Sequence, residues 1–188
     1  MSRAKVIKKR IFFPHVMYLD TAKHFCEELD RKECISWYDL MACMTTTAFS
    51  VEAILNTFGH ISIKDFTDFE SSTPLVKMRI LCEELNIDFD KGRKPFNSII
   101  QILKLRNQFA HPKYKVLSFE SAEMPSEKAR EIYQQGEILH DLEKALNPEL
   151  VKRSFGAVKD FELLLKRALG ARLPYESSDW RIVINESS

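Results

Sequence analysis

An arginine, an asparagine and a histidine stand close together in the stretch KLRNQFAHPK, at Arg106, Asn107 and His111. A histidine titrates near neutral pH and can transfer a proton. A guanidinium keeps its charge and donates paired hydrogen bonds to phosphate or carboxylate oxygens. In a helix, Asn107 and His111 share one edge and Arg106 stands at the neighbouring edge. This combination fits a site that transfers protons beside a bound anion.

The residues around this stretch predict a helix from about Pro95 to Ala110, which Pro112 ends because a residue before proline avoids the helical conformation. On a helical wheel one narrow side is polar, whereas Arg106 and Asn107 fall within the apolar remainder. The polar side holds Asn97, Gln101, Lys104 and Gln108. A guanidinium is costly to bury alone, so Arg106 has to meet a carboxylate, an open cleft or a phosphate.

Glu52 is the expected partner of Arg106, because it is the only formal charge between Asp39 and Lys64. The helix that carries Glu52 is so apolar that we expect it to be the central, mostly buried helix of the fold. Two explanations of the arginine stay open, an ion pair that ties two helices together and a functional group. His111 likewise fits either a cap at a helix C-terminus or a group that transfers protons.

The run from Arg106 to His111 reads RNQFAH, an arginine followed by a polar residue and, after three more residues, a histidine. Two other stretches accompany it, SVEAILN on the predicted second helix and TPLVKMRILCEELNI leading the third. Together with the form RNQFAHP at the end of the fourth helix, these stretches resemble the HEPN superfamily from about Ser36 to Pro112.

The resemblance implies an all-α fold, a single-domain HEPN-like bundle of about five to seven helices that forms a homodimer with its motif faces opposed. Active members of the family cleave RNA without a metal, through attack by the 2′-hydroxyl on the neighbouring phosphate. Arg106 and His111 would then be catalytic, and Asn107 and Glu52 would support them. Asn107 would fix the ring tautomer of His111 or hold a phosphate oxygen. If two copies face each other, each supplies half of a two-histidine site.

Basic residues near the end of the fourth helix are candidates for RNA contacts. Lys104 lies on its polar side, and Lys113 and Lys115 follow His111 closely enough to bind a phosphate backbone. A solvated basic surface is the ordinary explanation of such lysines, and both explanations stay open.

Two functions from different classes follow. The first is a metal-independent endoribonuclease, as in a toxin or defence effector, with RNA as substrate and a protein partner such as an antitoxin. The second is a non-catalytic HEPN-like interaction, nucleotide-binding or regulatory module, in which Arg106 is a structural ion pair.

Composition excludes other classes. The 188 residues are enough for one domain with a real core, and 28 Lys+Arg against 27 Asp+Glu argue against a protein that binds DNA through its overall charge. The remaining histidines and the four cysteines lack the spacing of a zinc site, and the five glycines form no nucleotide-binding loop. The sequence therefore predicts no metal site and no cofactor.

No membrane segment or secretory signal is expected. The basic and apolar N-terminus is interrupted at Pro14 and His15, and the weakly charged stretch from Leu40 to Ile63 contains Glu52 among other polar residues. We therefore predict a cytoplasmic protein with reduced, buried cysteines.

The helical domain is predicted to span residues 12–172, and residues 173–188 form a tail in which DWRIVIN alternates like a short strand with no evident partner. Proline and capping residues mark most helix starts. The expected helices are Pro14 to about Arg31, Ser36 to about Phe58, Thr73 to about Asn86, Pro95 to Ala110, helical material from Ser126 to Leu146, and Asn147 to Gly170.

Overall fold

The computed structural model describes residues 5–9, 12–111, 114, 116, 118, 120, 122–134, 140–172 and 181–185. The all-α prediction is confirmed, since α-helices account for nearly all of the regular structure in these residues. They are α1 (Pro14–Arg31), α2 (Trp37–Ser62), α3 (Pro74–Glu84), α4 (Phe96–Ala110), α5 (Ser126–Gln134), α6 (Asp141–Ala145) and α7 (Pro148–Leu169). Short 3-10 helices lie at Phe66–Phe69 and Gly170–Arg172.

Three N-terminal caps, at α2, α3 and α7, are the ones that the sequence indicates. The Ser36 hydroxyl accepts from the backbone N–H of Asp39 at 3.2 Å, and the Asp39 carboxylate accepts from the backbone N–H of Ser36, which completes a capping box. The side chains of Thr73 and Asn147 each accept from a backbone N–H three residues later, without a capping box, and proline starts each of the helices α3 and α7. Local hydrogen bonds thus fix where these helices begin.

α2 is the central helix, as predicted. It packs against α1, α3, α4 and α7, and twelve of its residues are buried. Its apolar side chains contribute to two clusters of buried residues. The larger cluster joins the middle and end of α2 to α3, α4 and α7, and the smaller one joins its beginning to the second half of α1 and the start of α7.

The prediction that α2 ends before Gly59 is wrong, because the helix continues to Ser62. Gly59 is buried within the helix, and a Cβ there would overlap the ring of Phe66. Phe66 belongs to the 3-10 helix that follows and is almost fully buried. The glycine therefore permits close packing of a ring against the helix and does not serve as its end.

The apolar side of α4 is covered within the chain. Ile99, Ile102 and Leu103 are buried in the larger cluster, and Leu105 and Phe109 pack on the smaller one. The apolar sweep on α4 is wider than one intramolecular neighbour would cover, as the sequence predicts, and two helices of the same chain, α2 and α7, contact it. This surface therefore does not require a second copy of the chain to cover it.

Two short strands lie near the ends of the chain. β1 (Lys5–Lys9) and β2 (Arg181–Asn185) pair antiparallel, with Lys5 opposite Asn185 and Lys9 opposite Arg181. β2 falls within the DWRIVIN stretch, and its partner is a strand that the sequence analysis did not identify.

Two of the four cysteines meet between α1 and α2. The Sγ atoms of Cys26 and Cys43 are 3.1 Å apart in the smaller cluster. Cys82 is also buried, and its burial raises the pKa of the thiol to about 12. Cys34 is exposed, so the prediction of buried cysteines is wrong at that position because the residue lies in the loop after α1.

None of the helices in the described ranges, including the apolar helix α2, is long and apolar enough to cross a membrane.

Candidate functional site

Arg106 pairs with Glu52, as the sequence predicted. The Nη2 atom of Arg106 lies 2.5 Å from the Oε2 atom of Glu52, and the ion pair joins α4 to the middle of α2. The side chains keep 20% and 34% of their surface exposed, respectively. The pair therefore lies at the edge of the core, where solvent reaches both groups.

The guanidinium has a second acceptor in Asn107, whose Oδ1 accepts from Nη1 of Arg106 at 3.0 Å. The Nε atom of Arg106 is enclosed and has no hydrogen-bond partner among the described residues. Two acceptors on different helices thus fix the plane of the guanidinium. Asn107 itself is exposed in the last turn of α4, although it follows the buried Leu103 by one helical turn on the apolar side of the wheel.

His111 ends α4, and its backbone N–H donates to the carbonyl of Asn107 at 3.0 Å. Its side chain is exposed, and within residues 12–111 the imidazole hydrogen-bonds to neither Arg106 nor Asn107. The structure therefore brings Glu52, Arg106 and Asn107 into one connected group, with His111 joined to it through the backbone. An exposed imidazole at this position can exchange protons with solvent or a ligand.

Of the predicted RNA contacts, only Lys104 can be described. It is exposed on α4, two positions before Arg106. Lys113 and Lys115 lie outside the described residues.

Three other histidines of the described chain have roles in packing, pairing or capping, whereas His24 is exposed on α1. His15 is buried on α1 with Nε2 3.5 Å from Glu162, and His60 lies 3.0 Å from Glu70. His140 caps α6 through its ring nitrogen. Within the described ranges, no three His, Cys, Asp or Glu side chains lie close enough together to hold a metal ion.

A groove that the sequence analysis missed opens beside the Glu52–Arg106 pair. It has a volume of about 430 Å³ and is lined from three helices and one loop. Its lining residues are Pro14, Tyr18, Phe49, Glu52, Ala53, Asn56, Glu70 and Lys77. The sequence carried one signal for it, because Lys77 lies one helical turn before the buried Leu81 and so falls on the inner side of α3.

No family model, curated protein or solved structure gives a significant match to this chain.

Proposed function

We propose that this protein is a metal-independent endoribonuclease of the HEPN type, with Arg106 and His111 as its catalytic residues. The observation that carries the proposal is the arrangement at the end of α4, where an oriented guanidinium on the helix is followed, after one further turn, by an exposed histidine. Such an enzyme would act as a toxin or defence effector, with a protein partner such as an antitoxin.

The proposed reaction needs a proton acceptor, a proton donor and a cation. The 2′-hydroxyl of a nucleotide loses its proton to a base and attacks the adjacent phosphorus, and the P–O5′ bond breaks as that oxygen takes up a proton. The products are a 2′,3′-cyclic phosphate and a free 5′-hydroxyl. His111 transfers protons in this scheme, and Arg106 stabilises the charge on the phosphorane oxygens.

Glu52 and Asn107 support Arg106 in this proposal. They hold the guanidinium in one plane before substrate arrives, so less freedom is lost when a phosphate binds. The partial exposure of Arg106 leaves room for a phosphate oxygen to approach the donors that face solvent.

The test is cleavage of mixed RNAs by the purified protein in EDTA, compared with the His111→Ala variant. We expect His111→Ala to leave the fold intact, because the side chain is exposed, and to lower cleavage by roughly 10²–10⁴-fold. His24→Ala is the matched control, since His24 is also exposed but lies on α1. DNA of the same sequence should stay intact because it lacks the attacking hydroxyl.

Cleavage that persists in folded His111→Ala would remove His111 from the mechanism. Cleavage that EDTA abolishes in the unaltered protein would remove the metal-independent scheme.

A second candidate is a non-catalytic interaction, nucleotide-binding or regulatory module. It is favoured by the two acceptors already bound to Arg106, which would suit an arginine that only ties α4 to α2. Failure of the unaltered protein to cleave any RNA tested would favour this candidate.

A further inference from the structure

The groove beside the Glu52–Arg106 pair contains a buried lysine with an unusual environment. Lys77 is only 4% exposed, and its Nζ donates to Oδ1 of Asn56 at 2.7 Å. A buried ammonium normally pairs with a carboxylate, yet Lys77 forms no ion pair within the described part of the chain. An ammonium has three donors, so Lys77 retains hydrogen-bonding capacity at the groove wall.

Aromatic side chains form another part of the groove wall. The ring centroids of Tyr18 and Phe49 are 5.9 Å apart, with an angle of 60° between the rings. Phe49 is 41% exposed although it belongs to the central helix. An exposed ring beside a groove provides a face on which a flat ligand can stack.

Two carboxylates complete the polar lining, and each is already engaged through one oxygen. Glu52 binds Arg106 through Oε2, and Glu70 contacts Nε2 of His60 through Oε1 at 3.0 Å. Their other oxygens can accept hydrogen bonds from N–H groups. Two carboxylates also disfavour a phosphate inside the groove, because like charges repel.

We propose that this groove binds a nucleobase that carries a carbonyl next to a ring N–H, namely uracil or guanine. The carbonyl oxygen accepts from Lys77, the ring N–H donates to a carboxylate, and the base stacks on Phe49. The volume of about 430 Å³ lies within the range of small-molecule sites and accommodates one base. The proposal rests on the proposed function in one respect, since it takes RNA as the source of the base. The link between the two sites is Glu52, which lines the groove and also pairs with Arg106.

The first test is binding of 2′-O-methyl oligonucleotides, followed by fluorescence anisotropy. These strands lack a free 2′-hydroxyl, so binding is measured without cleavage. We expect oligo-uridine to bind about 10-fold or more tightly than oligo-cytidine, which differs in the hydrogen bonds of the base edge. A strand of inosine should likewise bind more tightly than a strand of adenosine, because only inosine carries a carbonyl next to a ring N–H. Equal binding within both pairs would overturn the proposal.

The second test uses variants of the groove. Phe49→Ala should weaken oligo-uridine binding about 5- to 100-fold through lost stacking, and it leaves the core intact because the ring is exposed. Tyr38→Ala is the control, since Tyr38 is an exposed aromatic of the same helix, about 16 Å away along the axis. Lys77→Met should remove the preference for uridine over cytidine. If Lys77→Met does not fold, the result for Phe49→Ala alone decides the test. Unchanged binding by Phe49→Ala would contradict the assignment.

Free nucleotides distinguish the source of the base. UMP that binds as tightly as oligo-uridine would support the base site and overturn RNA as its source. A uridine preference in 2′-O-methyl strands, without cleavage of natural RNA, would support the groove while the proposed nuclease function fails. Cleavage of natural RNA with no preference among bases would overturn the groove assignment and leave the nuclease intact.

Discussion

Arg106 lies between the two limits that govern ion pairs in proteins. Fully exposed pairs contribute little because water and salt screen them, whereas removal of one member of a buried pair leaves a costly unpaired charge. With 20% of Arg106 and 34% of Glu52 exposed, neither limit applies. A loss of 3–5 kcal/mol, expected if Arg106 were left fully buried and unpaired, is therefore too large.

The first prediction is a double-mutant cycle across this pair. Glu52→Ala and Arg106→Met should each destabilise the fold, and the double variant should recover about 1–2 kcal/mol relative to additivity. Urea denaturation of the four proteins measures the coupling. Additive losses would show that the two side chains do not stabilise each other in solution.

The second prediction concerns Asp39 in the capping box of α2. The hydrogen bond from Lys32, together with those from Ser36, lowers the pKa of the Asp39 carboxyl to about 2. A carboxyl whose pKa is lower in the folded protein stabilises the fold above its unfolded pKa, and that contribution is lost as the pH falls towards 2. Asp39→Asn should therefore unfold more readily at neutral pH and lose less stability between pH 4 and pH 2.

Thermal unfolding of both proteins at several pH values checks this prediction. Asp20→Asn, at an exposed position on α1, serves as the control and should follow the unaltered protein. Parallel pH profiles for Asp39→Asn and the unaltered protein would contradict the assigned pKa.

At the scale of elements, the fit between α2 and the 3-10 helix after it gives the third prediction. Gly59→Ala places a methyl group where the buried ring of Phe66 lies, so the ring must move, at a cost of about 1–3 kcal/mol. Gly156→Ala on α7 is the control, because a Cβ there meets nothing within 4 Å and alanine favours helix by roughly 1 kcal/mol. Denaturation should show Gly59→Ala to be less stable than the unaltered protein and Gly156→Ala to be more stable. A Gly59→Ala variant as stable as the unaltered protein would disprove the close packing.

The helix starts were predictable because their causes are local. Ser36, Thr73 and Asn147 each bond to a backbone N–H three residues later, which the sequence shows directly. The Glu52 partner of Arg106 was predictable by elimination, since one charge lies on the inner helix. The hydrogen bond of Lys77 was not predictable from the sequence, because its acceptor, Asn56, lies 21 residues earlier on another helix. The β1–β2 pair joins opposite ends of the chain and likewise lacks a local signal.

At the scale of the whole molecule, the apolar side chains that stay exposed indicate a dimer interface better than the apolar side of α4, which is covered within the chain. On the helices that line the groove, two large apolar side chains outside the lining stay exposed, namely Met17 on α1 and Val76 on α3. A contiguous apolar surface is typical of one that a partner covers, and we predict that Met17 and Val76 belong to such an apolar face. The homodimer stays a prediction, and its interface is expected on this face.

Light scattering at tens of micromolar, roughly the range in which stable dimers persist, tests the homodimer. We expect a mass of about twice the 21.9 kDa of one chain. Val76→Glu places a charge on the apolar face and should shift the protein towards monomer, because burying an unpaired carboxylate is costly. Leu163→Glu on α7 is the matched control, since Leu163 and Val76 are both 45% exposed, and it should leave the mass unchanged. A monomer throughout this range would rule out the dimer, and equal effects of both substitutions would place the interface elsewhere.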